Sequence, residues 1–500
     1  MSNEVQMKKT LGLTGVTVNA MALIAPGAFL WLTFQMQAAQ VDTAGNSTAG
    51  DMFSGLILAL ILAFLTAISY AKLAELYPDA GTGSSYYFAE QSFLNKEINI
   101  GHFSRLAKFV VGWFSHLYYW VYPGVMVAMF ATMINYIASQ FGITLSIPVQ
   151  ILIAVVFSGI TGAVAYRGIN GSTVTAILIN VIQIVSLVFV TVLALIYRTT
   201  NPEHVVFVHP SMVDVIIPHS MSAIIFQATI AILLLVGFET TTALGAESKS
   251  PKHISRGVIL SLVIQGLIFY IFEYFGANAW INNSYVVDKH IGLDAAGASG
   301  APIGDMVKNL GDVLLHNSGF ALMILVALTV GIAIFGTTLA CMNTGVRVTY
   351  AMSKDKEVPS ALGILHHHHA TPHNGVWAIT IASAIIGGFG VISITNLTAV
   401  TLLSNVGTFI LYGMTCLITL VAFLRHPKQN KFTHVVIPIL GFLSNFGMLL
   451  AIFYLGILGG GATRTAALIA IISAIVWTVL GVIYMVSNSK ATGQRIVAKV

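Results

Sequence analysis

Residues 23–30 read LIAPGAFL and sit inside a long apolar run that begins soon after Lys8 and Lys9. Pro26 removes a backbone donor and its ring clashes with the preceding turn, while Gly27 costs helix entropy. A helix breaker in a stretch of membrane-span length leaves backbone groups without helical partners. In lipid such groups must be satisfied, so broken backbone persists only where it is buried in protein or lines a water-filled cavity. The Pro–Gly pair is therefore either a kink used for packing or half of a site.

The bulk numbers support the membrane setting. Of the 500 residues, 56% are hydrophobic and 8% charged, and the mean hydropathy is +0.86. Soluble domains carry about 25% charged residues, which excludes an ordinary water-soluble globule. The formal charge of +5 is read as membrane topology rather than nucleic-acid binding, because basic residues collect in cytoplasmic loops. Cys341 and Cys416 lie far apart in apolar stretches, so buried, inert thiols are expected and no disulfide. The polar start runs into a span with no small-residue cleavage site before further membrane sequence, so no cleavable leader is expected.

A span needs roughly 20 mostly apolar residues. Twelve segments qualify, near 14–38, 54–77, 107–140, 148–166, 173–197, 219–245, 255–281, 317–350, 375–394, 398–424, 434–458 and 465–487. The third and eighth exceed what a bilayer requires and should tilt. With an even count both termini share one side. Placing them in the cytoplasm puts nineteen of the 23 Lys and Arg residues inside and leaves only Arg198, Lys289, Lys308 and Arg464 outside. The chain is thus expected to be a multi-pass protein of a bacterial-type plasma membrane with both termini cytoplasmic. Residues 282–316, with Asp288, Asp294, Asp305 and Asp312, read as a small outer cap over spans seven and eight. Residues 78–104 form the main inner loop, in which AEQSFLNKEINIGHF suggests a short interfacial helix.

A second interruption decides how the first is read. Span six carries LLLVGFETTTALGAE, with Gly237 and Glu239 near mid-span beside three threonines. Spans one and six are five apart, which is where two inverted five-helix repeats place equivalent elements. Exposed amides at a half-helix start favour an anionic group, and opposing carbonyls suit an ammonium. An amino acid or an amine matches that pair of partial charges.

At these residues the chain resembles the amino acid–polyamine–organocation transporter superfamily, over most of its length. YAKLAELYPDAGTGSSYYF after span two is similar to the family's Tyr-x-x-Leu-x-x-x-x-Pro-x-x-Gly-Gly segment, with Thr82 where a second glycine is usual. GFETTTALGAESKSPKHISRGV resembles the family's Gly-x-Glu break followed by acidic, proline and basic positions, here Glu247, Pro251 and Arg256. NTGVRVTYAMSKDKEVPSALGILHHHHATPHNG is similar to Arg-x-x-Tyr-x-x-x-x-Asp-x-x-x-Pro with a later Thr-Pro.

The resemblance implies an all-α, LeuT-like fold: twelve transmembrane helices, a five-plus-five inverted repeat with helices one and six interrupted, and two additional helices. It divides the chain into a cytoplasmic start (1–13), first repeat (14–197), second repeat (198–425), helices eleven and twelve (426–488) and a cytoplasmic end (489–500). It implies alternating access by rocking of spans one, two, six and seven. By position, Ile24, Ala25, Pro26, Gly27 and Ala28 correspond to a carboxylate-binding break, and Val236, Gly237, Phe238 and Glu239 to an ammonium-binding one. Pro26 has no N–H, so a carboxylate relies on Gly27, Ala28 and Phe29, which leaves room for an amine.

Glu239, a carboxylate near mid-membrane, is the first candidate for proton coupling, against a purely structural reading. Glu273 in IFYIFEYFGANAW is the second, nearer the outer end of span seven. Lys72 and Glu75 are expected to pair locally. Where some relatives place a coupling Lys in span five, this chain has Gln183 or Ile182. Thr337 and Thr338 could join a sodium site, although membrane hydroxyls more often bond their own backbone. Phe238, Leu233, Tyr119 and Cys341 occupy gate positions, and Asn343 lines the same cavity. His366–His369 with His373 reads as a polar loop rather than a metal site. No cofactor, metal or nucleic acid is expected, and the chain is read as a monomer or homodimer in lipid. No phosphate-binding Gly-x-x-x-x-Gly-Lys-Ser/Thr is present, which excludes ATP-driven transport. The sequence therefore reads as a secondary transporter for a small amino acid, coupled to protons or by exchange, with sodium left open. An amine exchanger of the same fold is the alternative. A transporter-fold sensor would need a cytoplasmic signalling extension, and no clustered catalytic constellation marks an enzyme.

Overall fold

The computed structural model describes residues 10–24, 26–78, 83–93, 104–168, 173–200, 205–369, 371–424 and 426–493. The first half runs through α1 (Leu13–Ile24), α2 (Pro26–Ala38), α3 (Met52–Leu76), α4 (Ser85–Phe93), α5 (Ser104–Ser139), α6 (Ile147–Tyr166) and α7 (Thr173–Thr200). Next come α8 (Met221–Ala231), α9 (Pro251–Ser261) and α10 (Ile271–Trp280), then a hairpin of β1 (Val286–Val287) and β2 (His290–Ile291). The rest is α11 (Leu293–Ala298), α12 (Pro302–Leu314), α13 (Gly319–Lys354), α14 (His373–Gly390), α15 (Ile394–Phe423), α16 (Ile437–Leu458) and α17 (Gly461–Thr492).

Among the described residues, ten helical stretches are long and apolar enough to cross a membrane, which makes this a multi-pass helical membrane protein. The two other expected spans differ in build. The first is carried by α1 and α2 on either side of Ala25, a residue outside the described set. The ninth is α14, which opens on His373 and Asn374 and ends among Gly387, Gly388 and Gly390, so its apolar content is lower. The third and eighth spans, α5 and α13, have 36 residues each, about 54 Å at 1.5 Å per residue, and so outrun a hydrocarbon core of about 30 Å.

Spans three and ten form the centre: α5 packs on α13, α14 and α15, and α15 also meets α16 and α17. Small residues allow the close approach. A Cβ on Gly407 of α15 would lie 2.7 Å from the backbone nitrogen of Tyr118 on α5. The outward faces of α6, α7, α16 and α17 carry exposed Leu, Ile and Val, as lipid contact requires.

Two loop expectations change. The inner-loop helix is real over Ser85–Phe93, but it is not interfacial: Tyr86, Phe88, Ala89 and Phe93 are buried against α5 and α15. Residues 94–103, the rest of that expected helix, lie outside the described residues. The outer cap rests chiefly on α2 and α13 rather than on spans seven and eight alone, through α11 and the amphipathic α12. Asp305 anchors it, accepting from Tyr136 at 2.7 Å and Tyr285 at 2.9 Å, and from Ser299.

Because the Gly407 contact is with backbone, the neighbour cannot rotate away. G407A is expected to cost about 1–3 kcal/mol of stability through overpacking. A lowered melting temperature of the purified protein in detergent is the readout; an unchanged one would mean that α5 and α15 are not tightly apposed.

Candidate functional site

Span six leaves α-helical geometry after Ala231. A 3₁₀ turn covers Ile232–Leu234, Gly237 takes φ +128°, and a 3₁₀ segment runs Phe238–Glu247. Only glycine adopts that φ without strain, and the local crowding adds a second reason for it. A Cβ on Gly237 would lie 2.8 Å from Leu23 Cβ and 3.1 Å from the nitrogen of Ile24. The irregular part of span six is thus seated on the end of α1.

The three threonines now have a task. Thr240, Thr241 and Thr242 donate to the carbonyls of Gly237 (2.6 Å), Phe238 (2.8 Å) and Glu239 (2.6 Å). The hydroxyls reinforce the 3₁₀ turn; the Gly237 carbonyl, for one, accepts from the Thr240 amide at 3.1 Å as well as from its hydroxyl. Thr242 also meets Ser84 at 2.6 Å, tying this segment to the GTGSSYYF stretch. On the other side of the contact, the Ile24 carbonyl accepts from Tyr270 at 2.8 Å and the Ala22 carbonyl from Thr337 at 3.0 Å. Thr337 therefore reaches span one rather than its own helix, whereas Thr338 bonds back to Ile334 at 2.7 Å.

Glu239 is fully buried and clasped by four donors. Its Oε1 accepts from Tyr118 at 3.1 Å and Tyr119 at 3.3 Å, and its Oε2 from Tyr412 at 2.7 Å and the Gly237 amide at 2.9 Å. A carboxylate offers about four acceptor positions and all are used. Spans three, six and ten are joined through this one group.

The other expected site residues are placed as follows. Phe238 is fully buried between Tyr70, ring centroids 6.0 Å apart, and Tyr412, 5.3 Å apart. Leu233, Val236 and Cys341 are also fully buried, and Cys341 Sγ lies 3.8 Å from the Tyr119 carbonyl. Asn343 is half-buried on α13 and takes no part in the cage. Ala25 and the side chains of Pro26, Gly27, Ala28 and Phe29 lie outside the described residues. Glu273 is buried on α10, away from the cage. Gln183, in the span-five position, is buried with neither amide atom partnered among the described residues.

Tyr412 was missed by sequence reasoning; its signal is one polar ring in the apolar TFILYGMTC of span ten. Both cysteines are free and buried. The Lys72–Glu75 pair forms at 2.9 Å. The ring of His366 is stacked on His369 at 4.9 Å and packs near Tyr166, but no group of three or more His, Cys, Asp or Glu among the described residues could hold a metal. Partial desolvation and the neighbouring imidazoles hold His366 below the usual histidine range.

One end of the site is tied shut by polar contacts. Arg347 donates to Glu247 at 2.8 Å and to the Ala243 carbonyl at 3.2 Å. Leu11 exchanges backbone bonds with Glu247 (3.0 Å) and Lys249 (2.9 Å). Further along, Lys108 bridges Glu90 and Asp355, and Arg105 pairs with Glu357.

Irregular backbone is held between long apolar helices beside a clasped carboxylate, and the family that matches this chain makes it a membrane transporter rather than an enzyme. The chain belongs to the amino acid permease family, within the amino acid–polyamine–organocation superfamily: the family model matches residues 9–480. It is 24% identical over 501 residues to the low-affinity putrescine importer PlaP of Escherichia coli K12, covering 98% of this chain and 96% of that protein. It is 23% identical over 512 residues to the branched-chain amino acid permease BcaP of Bacillus subtilis, covering 98% and 95%. A methylthioribose transporter of Bacillus subtilis is 22% identical over 408 residues, 80% of each chain.

The bond lengths rank the clasp. Replacing Tyr412 by Phe removes the shortest hydroxyl bond to a charged acceptor, worth about 1.5–3 kcal/mol. Y412F is expected to lower the melting temperature more than Y118F, and Y118F more than Y119F. Equal effects across the three would show that the tyrosines serve packing alone.

Proposed function

We propose that this chain is a secondary active transporter that moves a small amino acid across the plasma membrane by alternating access, driven by protons or by exchange. The observation that supports the reading is the seat of Gly237 on Leu23 and Ile24, the residues that end α1 just before the Pro–Gly pair. In this reading the ten long helices, the α1–α2 pair and α14 make twelve crossings with both termini cytoplasmic. Residues 14–197 and 198–425 form the inverted repeats, and 426–488 the two additional helices.

Substrate sits where the two irregular segments meet. The amides of Gly27, Ala28 and Phe29 face a carboxylate. The carbonyls of Val236, Gly237 and Phe238 face an ammonium, Val236 foremost, because the Gly237 carbonyl already accepts from both the amide and the hydroxyl of Thr240. Glu239 anchors span six to spans three and ten and adds negative potential for the ammonium. Phe238, packed on Tyr70 and Tyr412, and Tyr119 act as gates, with Leu233, Cys341 and Asn343 around them. The Arg347–Glu247 pair closes the end it occupies and must break for release on that side.

Pro26 favours a second reading. With no N–H at that position the carboxylate subsite is one donor short, which suits an amine, and one relative is a putrescine importer. The two readings separate in a counterflow screen of the reconstituted protein, using leucine, putrescine, methylthioribose, the remaining amino acids and their decarboxylated amines, with and without sodium. An amino acid is expected to exchange. If only carboxylate-free amines do, the carboxylate role of the first interruption is wrong.

Gly237 is the second lever. G237A forces a side chain into an unfavourable φ and against Leu23, and transport is expected to fall at least about tenfold. E239Q presents an amide donor to a cage made of donors and is expected to lose transport as well. A fully active G237A would remove the two-segment contact as the site.

A further inference from the structure

We infer that Glu273 carries the coupling proton, and that the Tyr270 and Tyr274 contacts on either side of it hold span one to span seven only while it is neutral. This rests on the proton-coupled form of the function proposed above. Its basis is a contrast between the two buried acids. Glu239 meets four donors, whereas Glu273 is 2% exposed and neither of its oxygens meets a hydrogen-bond partner among the described residues. An ionised carboxylate in that position has lost its water and gained nothing in return, so the group present here is the neutral acid.

The neighbours of Glu273 give that proton a mechanical consequence. One turn before it, Tyr270 donates to the carbonyl of Ile24, the last residue of α1. One residue after it, Tyr274 donates to Gln37, in the last turn of α2. Gln37 in turn donates to Gln227 of span six at 2.9 Å, and Gln227 returns a bond to the Gln37 carbonyl at 2.8 Å. Lower down, Gln265 of span seven holds Asn180 of span five at 2.8 Å, and Asn180 reaches the Val18 carbonyl of α1. Residues 270–274 therefore staple both helices of span one, at the end of α1 and in the last turn of α2, with an acid between the two tyrosines in sequence. The helix changes to a wide π form over Leu262–Tyr270, just before the staple, which shifts the face that the next residues present.

Among the described residues, no charged group pairs with Glu273. On its own helix the titratable neighbours are Tyr270 and Tyr274. On α7, Arg198 is spent on the carbonyls of Ala279 and His209. On α12, Asp305 is committed to Tyr136, Tyr285 and Ser299, and Lys308 to Gln140. On α3 the charged residues Lys72 and Glu75 stand at the far end and pair with each other, and Asp51, just before α3, holds the amides of His219 and Ser220. Neither α1 nor α2 contains a charged residue. Ionisation thus requires water, and water requires that the staple part from span one. Proton release and opening become one event, and rebinding a proton permits closure.

Glutamine is a near-isostere of the neutral acid, so E273Q is expected to fold with a wild-type melting temperature, fixed in the proton-loaded form. In infrared spectra of the reconstituted full chain, the wild type should show the carbonyl stretch of a buried protonated carboxyl at neutral pH, and E273Q should lack it. In transport, E273Q cannot ionise, so it should lose both the acceleration of uptake by an imposed proton gradient and at least about tenfold of the counterflow of the same probe; wild-type counterflow in E273Q would overturn the link between ionisation and opening. The probe is whichever of leucine, putrescine or methylthioribose the wild type exchanges. A carboxyl band that survives in E273Q, or an E273Q that fails to fold, overturns the assignment to Glu273. A wild type that is indifferent to the gradient, with the band present and lost in E273Q, instead overturns the proton-coupled reading on which the assignment rests.

Discussion

Everything near the middle of this bundle obeys one constraint: backbone groups that leave the helical ladder in an apolar medium must be partnered on the spot. Span six departs from α-geometry from Ile232 to Glu247, and its sequence carries part of the compensation within itself. Three successive threonines return bonds to Gly237, Phe238 and Glu239, and the Glu239 carboxylate takes the Gly237 amide. Span one borrows its compensation from others, through Tyr270 and Thr337. Span six therefore holds its irregular shape in part with its own residues, whereas α1 depends on spans seven and eight to satisfy the carbonyls of Ile24 and Ala22.

That asymmetry bears on which parts can move. An element that satisfies its own backbone can shift as a unit, but span six also carries the Glu239 carboxylate, whose bonds to Tyr118, Tyr119 and Tyr412 tie it to spans three and ten. An element that borrows partners must find replacements, and water in an opened cavity is the available replacement. The contacts that would have to be exchanged are neutral hydroxyls and amides at one end, in the Tyr274–Gln37–Gln227 group, and an Arg347–Glu247 ion pair at the other. Neutral bonds trade for water at small net cost, since most hydrogen bonds contribute only about 0.5–1.5 kcal/mol net. A half-exposed ion pair is similarly cheap to open. The bundle centre, where Gly407 brings α15 against the backbone of α5, has no such exchangeable layer and serves as the fixed frame.

Much of this was legible in the sequence because the signals were local. Pro26, Gly27 and Gly237 mark backbone irregularity by residue type alone, and the GFETTT run announces both the break and its repair. The apolar runs gave the long helices, and α14 fell short of a clear span because polar and glycine residues dilute it at both ends. What could not be read was partnership across the chain. Tyr412 lies more than 170 residues from the carboxylate it holds, and no spacing rule connects them. The inner-loop helix was misplaced for a related reason: its residues look amphipathic, but whether that face meets lipid or protein depends on α5 and α15. Thr337 was expected to bond its own helix and instead reached Ala22, because the end of α1 offered a carbonyl that needed a donor.

The two buried acids show why residue type and depth are insufficient to assign a role. In the sequence Glu239 and Glu273 are alike, single carboxylates in apolar spans, and Glu239 is the stronger candidate for a proton because it stands in the irregular segment. The surroundings invert that order. A carboxyl group with four polar partners has its burial offset by those bonds whichever way it is protonated. One with none cannot be buried without a proton. Only a group forced to change its proton when water arrives can tie protonation to opening. The residue that looks least connected in the closed structure is for that reason the one best suited to sense its conformational state.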